Sequence, residues 1–357
     1  MVPRIEHLSW LVGRHDAARH DLATSDLDAA AGDWHVEPES LADRADPPAD
    51  LTIEQQLATI YGVGTESVLV TAGATHANFL AFAALIDDGD HVLVETPGYE
   101  PLRATPDWLG AEVDRYERPA SADYALLSER ILEARGPDTS LVVATNRHNP
   151  SGKRTDPESL AVAALVAGDA GGTLLVDEVY APYCVAPGDG PFGGPSAAGL
   201  TDTIVTSSLT KAFGLGGLRV GWIIADPSVI ERARDVFAHV PVLSTPGRAL
   251  ARRALYHRDD LLSRSRELIL KNHDLLWTFV AERGDLDGPV FDGATYACLT
   301  HESADGDEVV EAAWDAGILV TPGRFFEDSD RFRLSLGHDP GEMQAALDAF
   351  GDVLDGL

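Results

Sequence analysis

Short apolar runs alternate with helix-length stretches from residue 68 to about residue 224, and this rhythm limits the fold more than any other feature. Val68-Leu69-Val70-Thr71, His91-Val92-Leu93-Val94, Ser140-Leu141-Val142-Val143-Ala144, Thr173-Leu174-Leu175-Val176, Thr203-Ile204-Val205-Thr206 and Val220-Gly221-Trp222-Ile223-Ile224 have the length and β-branched content of buried strands. A strand apolar on both faces belongs in a mostly parallel sheet, because crossover helices then cover both of its faces. Helical patterns fit between them, from Ala74 to near Asp88 and from Pro157 to Asp169. Upstream, Leu51, Leu57, Ile60 and Tyr61 recur at helical spacing until Gly62, while Ser40 to Pro48 reads as loop. Beyond Ser228 the pattern is helical to Glu282, broken between Pro241 and Pro246. The final stretch mixes short strands (Ala297 to Leu299, Phe332 to Leu336) with helices. The expected fold is α/β: a large domain over residues 46–250 with a mostly parallel sheet covered by helices on both faces. A smaller α+β domain is expected from the N-terminal segment, 1–45, and from the interdomain helix and C-terminal region, 251–357.

Charge narrows the class of partner. The formal net charge is -31 and the pI near 4.5, so phosphate backbones and acidic membranes would be repelled. Three lysines stand against 24 arginines, and 37 aspartates against 21 glutamates. That balance resembles the cytoplasmic proteins of extreme halophiles, whose acidic surfaces need salt to screen self-repulsion. No run of apolar residues is long enough to span a bilayer, and Met1 to Glu6 has no signal-like apolar core, so a cytoplasmic location is expected. Cys184 and Cys298 stand far apart and read as small buried hydrophobes. His15 and His20 lack metal-ligand spacing and no His-Glu-x-x-His occurs, so no metal is expected.

With so few lysines, the position of Lys211 is informative. It follows the strand run at Thr203 to Thr206 and precedes Gly214-Leu215-Gly216-Gly217. An amine at the end of a buried strand can be desolvated, lose its proton near neutrality and form a Schiff base. Taken alone, the segment fits a solvated loop lysine equally well. The glycines lack the full spacing of a dinucleotide loop, and no acid follows at the required distance.

Open parallel sheets bind ligands beyond the C-terminal ends of their strands, and polar residues gather at those ends here. Gly73-Ala74-Thr75 opens a helix where free N–H groups suit a phosphate; Asn149, then Asp177 and Tyr180, then Ser208 and Lys211 follow successive strands. At this point the chain resembles the fold-type I aminotransferases of class I/II, which use pyridoxal 5′-phosphate. The resembling motifs are Gly73-Ala74-Thr75, Pro97-Gly98-Tyr99, Asn149-Pro150-Ser151-Gly152, Asp177-Glu178-Val179-Tyr180, Ser208-Leu209-Thr210-Lys211 through Arg219, and Phe332-Arg333-Leu334-Ser335. They run in family order over most of the chain, and the lysine segment is the most specific.

The resemblance implies a role for each. Lys211 would hold the cofactor as an imine and, once displaced, shuttle the proton between substrate and cofactor carbons. Asp177 would pair with the protonated pyridine nitrogen and keep it charged; its plain reading is a helix N-cap. Asn149 and Tyr180 would hydrogen-bond the ring's O3′, and Tyr99 would stack on the ring. Gly73, Ala74, Thr75, Ser208 and Arg219 would form the phosphate cup; flanked by Gly217 and the apolar Val220-Gly221-Trp222, Arg219 is expected to be buried against the anion. Arg333 would clamp the substrate α-carboxylate, with strand alternation putting Arg331 on the same face. Asn149-Pro150 and Thr96-Pro97 are candidates for cis geometry.

Two departures qualify the resemblance. The tyrosine that the family sends from a neighbouring subunit to the phosphate is missing between Leu41 and Leu51, and Arg248 sits in poor register for a distal carboxylate. His148 adjoins Asn149 and reads equally well as a substrate contact or as a satisfied loop histidine. The substrate side chain is expected to meet the segment around Asp21 to Asp26 and the other subunit. The expected activity is transamination between an L-amino acid and a 2-oxo acid by a homodimer. The alternatives are a C–S lyase, decarboxylase or acyl-transferring synthase on the same scaffold, and a non-catalytic effector-binding module.

Overall fold

The computed structural model describes residues 5–24 and 37–357. Seven strands form the large sheet: β1 (Val68–Thr71), β2 (His91–Thr96), β3 (Glu112–Glu117), β4 (Thr139–Thr145), β5 (Thr173–Asp177), β6 (Thr203–Ser208) and β7 (Gly221–Ile224). Their spatial order is β1-β7-β6-β5-β4-β2-β3. All neighbours are parallel except β7, which runs antiparallel to both β1 and β6. β1 therefore points the same way as β2 through β6, and the C-terminal ends of six strands lie along one edge of the sheet. Strands β5, β6 and β7 are Val-, Ile- and Leu-rich and buried throughout their middles, because helices cover both faces.

Each face carries its own core. One gathers Val70, Leu93, Val142, Leu174, Val205 and Trp222 with the helices Ile53–Tyr61 and Pro157–Gly168. The other gathers Leu69, Val92, Val143, Leu175, Ile204 and Ile223 with the helices Ala74–Leu85 and Pro227–His239. Alternate residues of a strand point to opposite faces, which is why neighbours such as Leu69 and Val70 part company. Local signals set the helix ends. Thr52 and Gln55 make a reciprocal capping box, and Gly62 closes that helix at φ 68°. Asp156 caps the next covering helix ahead of Pro157.

A third core unites the C-terminal region with the start of the chain. Leu22 packs with Leu276, Leu299, Ile318, Leu334 and Phe350. Its small sheet centres on β8 (Tyr296–His301) paired antiparallel with β9 (Phe332–Ser335), and His20–Asp21 pairs parallel with Ile318–Leu319. The long helix Arg258–Glu282 connects this core to the large sheet through Leu262 and Ile269 on one side and Leu276 on the other.

Several local expectations change. Ser40 to Pro48 is not wholly loop, because the short helix Glu39–Ala42 enters it. The helical stretch 228–282 breaks a second time at His257, giving the helices Thr245–Tyr256 and Arg258–Glu282. Thr96-Pro97 is cis; Asn149-Pro150 is not, and the cis bond in that loop is Asn146-Arg147. Cys184 and Cys298 are buried and unbridged. Among the described residues, no helix is long and apolar enough to cross a membrane.

Candidate active site

A cavity of about 490 Å³ opens at the shared C-terminal edge of the large sheet. Ala74, Thr75, Tyr99, Asn149, Asp177, Tyr180, Ser208, Lys211, Arg219 and Arg333 all line it. Gly73 does not, yet it shapes the wall: at φ +87° only glycine is unstrained, and a Cβ there would meet the Arg219 guanidinium at 3.1 Å. Gly221 on β7 is equally confined, since a Cβ would press on Gly73 and the Ala74 nitrogen at 2.6 and 2.8 Å. The turn after β1 thus lies directly against β7, with Arg219 beside it.

Asp177 ends β5 and is buried. Its carboxylate accepts hydrogen bonds from Asn78 Nδ2 at 2.7 Å and from the Val179 N–H at 3.1 Å, and Asn78 Oδ1 in turn accepts from the Thr206 hydroxyl. Burial pushes the Asp177 pKa upward, while Asn78, the Val179 N–H and the Lys211 charge oppose the rise. The Val179 contact is the cap-like role expected of a post-strand aspartate; the Asn78 contact aims the other oxygen. Asn78 escaped the sequence reading, although a lone amide in an alanine-rich helix one turn past Gly73-Ala74-Thr75 was its signal.

Lys211 takes φ 45° at the start of a short 3-10 turn, and its Nζ lies 5.5 Å from the Tyr180 ring centroid. Tyr180 packs against Tyr296 at 4.9 Å between centroids, which fixes that wall. Ser208, at the end of β6, exchanges a 2.7 Å hydrogen bond with Thr210, another residue of the lining. Arg219 corrects an expectation: it lies at φ 50° and is exposed, not buried, with its guanidinium beside Gly73 along the cavity wall. Tyr99 follows the cis Thr96-Pro97 turn, and burial raises its pKa to about 12.

Arg333 on β9 is buried and reaches across to the large sheet. Its Nη1 donates to Asn149 Oδ1 at 2.7 Å and its Nη2 to the Ala23 carbonyl at 3.3 Å. Arg331 does not share the cavity; it pairs with Asp328 at 3.2 Å. His148 also stays outside, bonded to Ser151 and to the Pro97 carbonyl and stacked on Tyr124. Arg248 pairs with Glu54 at 2.7 Å away from the lining.

The remaining wall comes from the N-terminal segment, which the sequence indicated only around Asp21 to Asp26. Ser25 and Asp26 lie outside the described residues. His7, Leu8 and Leu11 of the helix Glu6–Leu11 contribute, with His15, Ala23 and Thr24. The buried Glu100 carboxylate anchors that helix by accepting the N–H groups of Glu6 and His7 at 2.9 and 2.8 Å.

The residues fit pyridoxal phosphate on geometry alone. An amine and a buried carboxylate share one cavity, and a glycine-backed helix N-terminus with an arginine forms a cradle for an anion. Comparison with known proteins agrees. Residues 20–350 match the model of the family described as aminotransferase class I and II, and the chain belongs to that family. It is a pyridoxal-phosphate-dependent aminotransferase of fold type I. Histidinol-phosphate aminotransferase of Halorubrum lacusprofundi is 29% identical over 299 residues, covering 83% of this chain and 77% of that one. Capreomycidine synthase of Streptomyces vinaceus is 28% identical over 291 residues, covering 80% and 74%. Among solved structures, a PLP-dependent aminotransferase from Streptococcus suis superposes with a TM-score of 0.86 at 23% identity, covering 99% of this chain and 98% of that one. The chain transfers an amino group between an amino acid and a 2-oxo acid.

Proposed function

We propose that Lys211, Asp177, Asn149, Tyr180 and Arg333 carry this transamination, with Gly73, Ala74, Thr75, Ser208 and Arg219 forming the phosphate cup and Tyr99 covering the ring. The observation that carries this reading is the convergence of Lys211, Asp177 and Arg333 on one cavity, with Asp177 aimed by Asn78. When bound, pyridoxal phosphate supplies a carbonyl and an electron-accepting ring. Lys211 would provide the amine that holds that carbonyl and, once freed, would move the proton from the substrate Cα to the carbon of that carbonyl. Asp177, buried and held by Asn78, would keep a negative charge toward the ring nitrogen. Arg333 fixes the α-carboxylate, and its bond to Asn149 couples substrate binding to the cofactor wall.

The enzyme works as a cytoplasmic homodimer in this reading, supported by the resemblance and by the exposed apolar side chains Val242, just before the helix Thr245–Tyr256, and Tyr256 at its end. Residues 46–250 form its large domain, with 1–45 and 251–357 as the flanking parts. The test is a single turnover with purified enzyme and cofactor. An amino acid added alone should convert the visible absorbance of the cofactor to that of its amine form. A lyase would instead release product and restore the starting spectrum, and protein that stays colourless with added cofactor would defeat the reading altogether.

A further inference from the structure

Asn149 is fixed from behind by residues that no catalytic role has claimed. Glu95 at the end of β2 and Arg118 just beyond β3 form a fully buried ion pair at 2.8 Å. Arg118 is spent on the protein itself: Nε donates to the Tyr124 carbonyl, Nη1 to the Thr145 carbonyl and Nη2 to the Thr155 hydroxyl. The second Glu95 oxygen, Oε1, accepts both the Thr145 N–H at 2.9 Å and the Thr145 hydroxyl. Thr145 ends β4, pairs in register with Asp177 on β5, and lines the cavity.

Hydrogen-bond polarity makes this arrangement directional. A threonine hydroxyl has one proton, and here it goes to a carboxylate. Its oxygen is left as an acceptor, and it takes the Asn149 N–H at 3.1 Å. Arg333 has only donors, so the Asn149 atom facing it must be the carbonyl oxygen, which accepts at 2.7 Å. The amide nitrogen of Asn149 is thereby kept as the donor available to an occupant of the cavity. We propose that Glu95 and Thr145 are positioning residues: the buried Glu95–Arg118 pair aims the Thr145 hydroxyl, which sets Asn149 and, through it, the carboxylate clamp Arg333. The proposal rests on the cofactor and clamp roles given above to Asn149 and Arg333.

Thr145→Val removes the hydroxyl while keeping the shape of the side chain, and Thr145→Ser keeps the hydroxyl. Two constants separate them without turnover: the affinity of apoenzyme for pyridoxal phosphate, and the affinity of the aldehyde-form holoenzyme for pyruvate or 2-oxoglutarate, whichever the wild type binds. The valine variant should weaken both by about tenfold, the effect of losing the bond that holds the Asn149 N–H, and the serine variant should recover most of that loss. Unchanged constants in a valine variant that melts cooperatively would overturn the proposal. So would equal losses in the serine variant, which would reduce Thr145 to packing. If the valine variant does not fold, Glu95→Gln weakens the acceptor instead, and the same constants must fall; their constancy would likewise overturn it. A wild type that binds no cofactor would count against the functional reading, not against this relay.

Discussion

The strand-end wall of the cavity and the wall made by residues 7–24 with Arg333 face the same space but are held in different ways. On the first, each residue ends its strand or follows it by a few positions, so the sheet fixes Asn149, Asp177, Ser208 and Lys211 through backbone locked in the ladder or just beyond it. On the second, the small sheet fixes Arg333 and pairs only His20–Asp21 of the N-terminal segment, whose other residues are tied in by a few long-range hydrogen bonds: Glu100 to the Glu6 and His7 N–H groups, Arg333 to the Ala23 carbonyl, and the Ser335 N–H to the Leu22 carbonyl. Chemistry common to a family can rest on the first wall. Recognition of the substrate side chain, which differs between members, can rest on the N-terminal part of the second, where a few contacts can be exchanged without disturbing the sheet.

That contrast is broken or sharpened first at the strand ends. Lys211→Ala should reduce turnover by at least about 10³-fold, because both the covalent anchor and the proton carrier are lost. Cofactor affinity should fall far less, since the phosphate cup is intact; full turnover with borohydride-trappable cofactor in this variant would refute the assignment. On the opposite wall, Arg333→Lys keeps the charge but loses the planar fork. It should raise KM for amino acid and oxo acid by about ten- to a hundredfold while leaving cofactor binding near that of wild type. Equal loss of both would mean that the two walls are not separable.

His7 gives a smaller, pH-dependent probe of the second wall. Its ring stacks on Phe325 at 5.1 Å and meets Tyr99 edge-on, and among the described residues neither ring nitrogen has a hydrogen-bond partner. Burial, then the positive charges of Arg333, Lys211 and His15, lowers its pKa from 6.5 to about 3. The unfolded chain therefore binds the extra proton first as pH falls. Stability held above pH 6.5 should be lost between about 6.5 and 3, at no more than about 1.4 kcal/mol per pH unit. His7→Phe should flatten that part of the pH–stability curve; an unchanged slope would show that this ring is not what acid attacks.

Salt acts on both walls through the surface. With a net charge of -31, the melting temperature should rise from low to molar salt as repulsion is screened, and a flat titration would remove the halophile-like reading.

The difference between the walls also explains what was legible in the sequence. Buried strands announce themselves by unbroken apolar runs, so the strand-end residues could be placed in order. β3 did not, because it is an edge strand in which Glu112, Asp114, Arg115 and Glu117 are charged, a composition suited to solvent. The helix Glu100–Leu109 was masked by Pro101 and Pro106, the first at a tolerated N-terminal position and the second inside the helix. Arg219 reads as buried because its neighbours are apolar, whereas its side chain is exposed along the cavity wall beside Gly73. His7, Leu8 and Leu11 carry no motif; chain positions hundreds of residues apart bring them to the cavity of Arg333, and a local pattern holds no trace of such contacts.

Arg248 tests the boundary of the recognition wall with the smallest effect. In this subunit it is a partly exposed partner of Glu54 and takes no part in the lining. An ion pair of that kind contributes about 0–1 kcal/mol, so Arg248→Ala should barely move the melting temperature. The ranking of amino donors should also stay as in the wild type, because Arg248 lies away from the cavity that His7, Leu8 and Leu11 help to line. If the variant instead lost aspartate and glutamate relative to uncharged donors, Arg248 would have to reach a neighbouring subunit's cavity. Recognition would then be divided between two chains, and the contrast drawn within one subunit would hold only for the cofactor side.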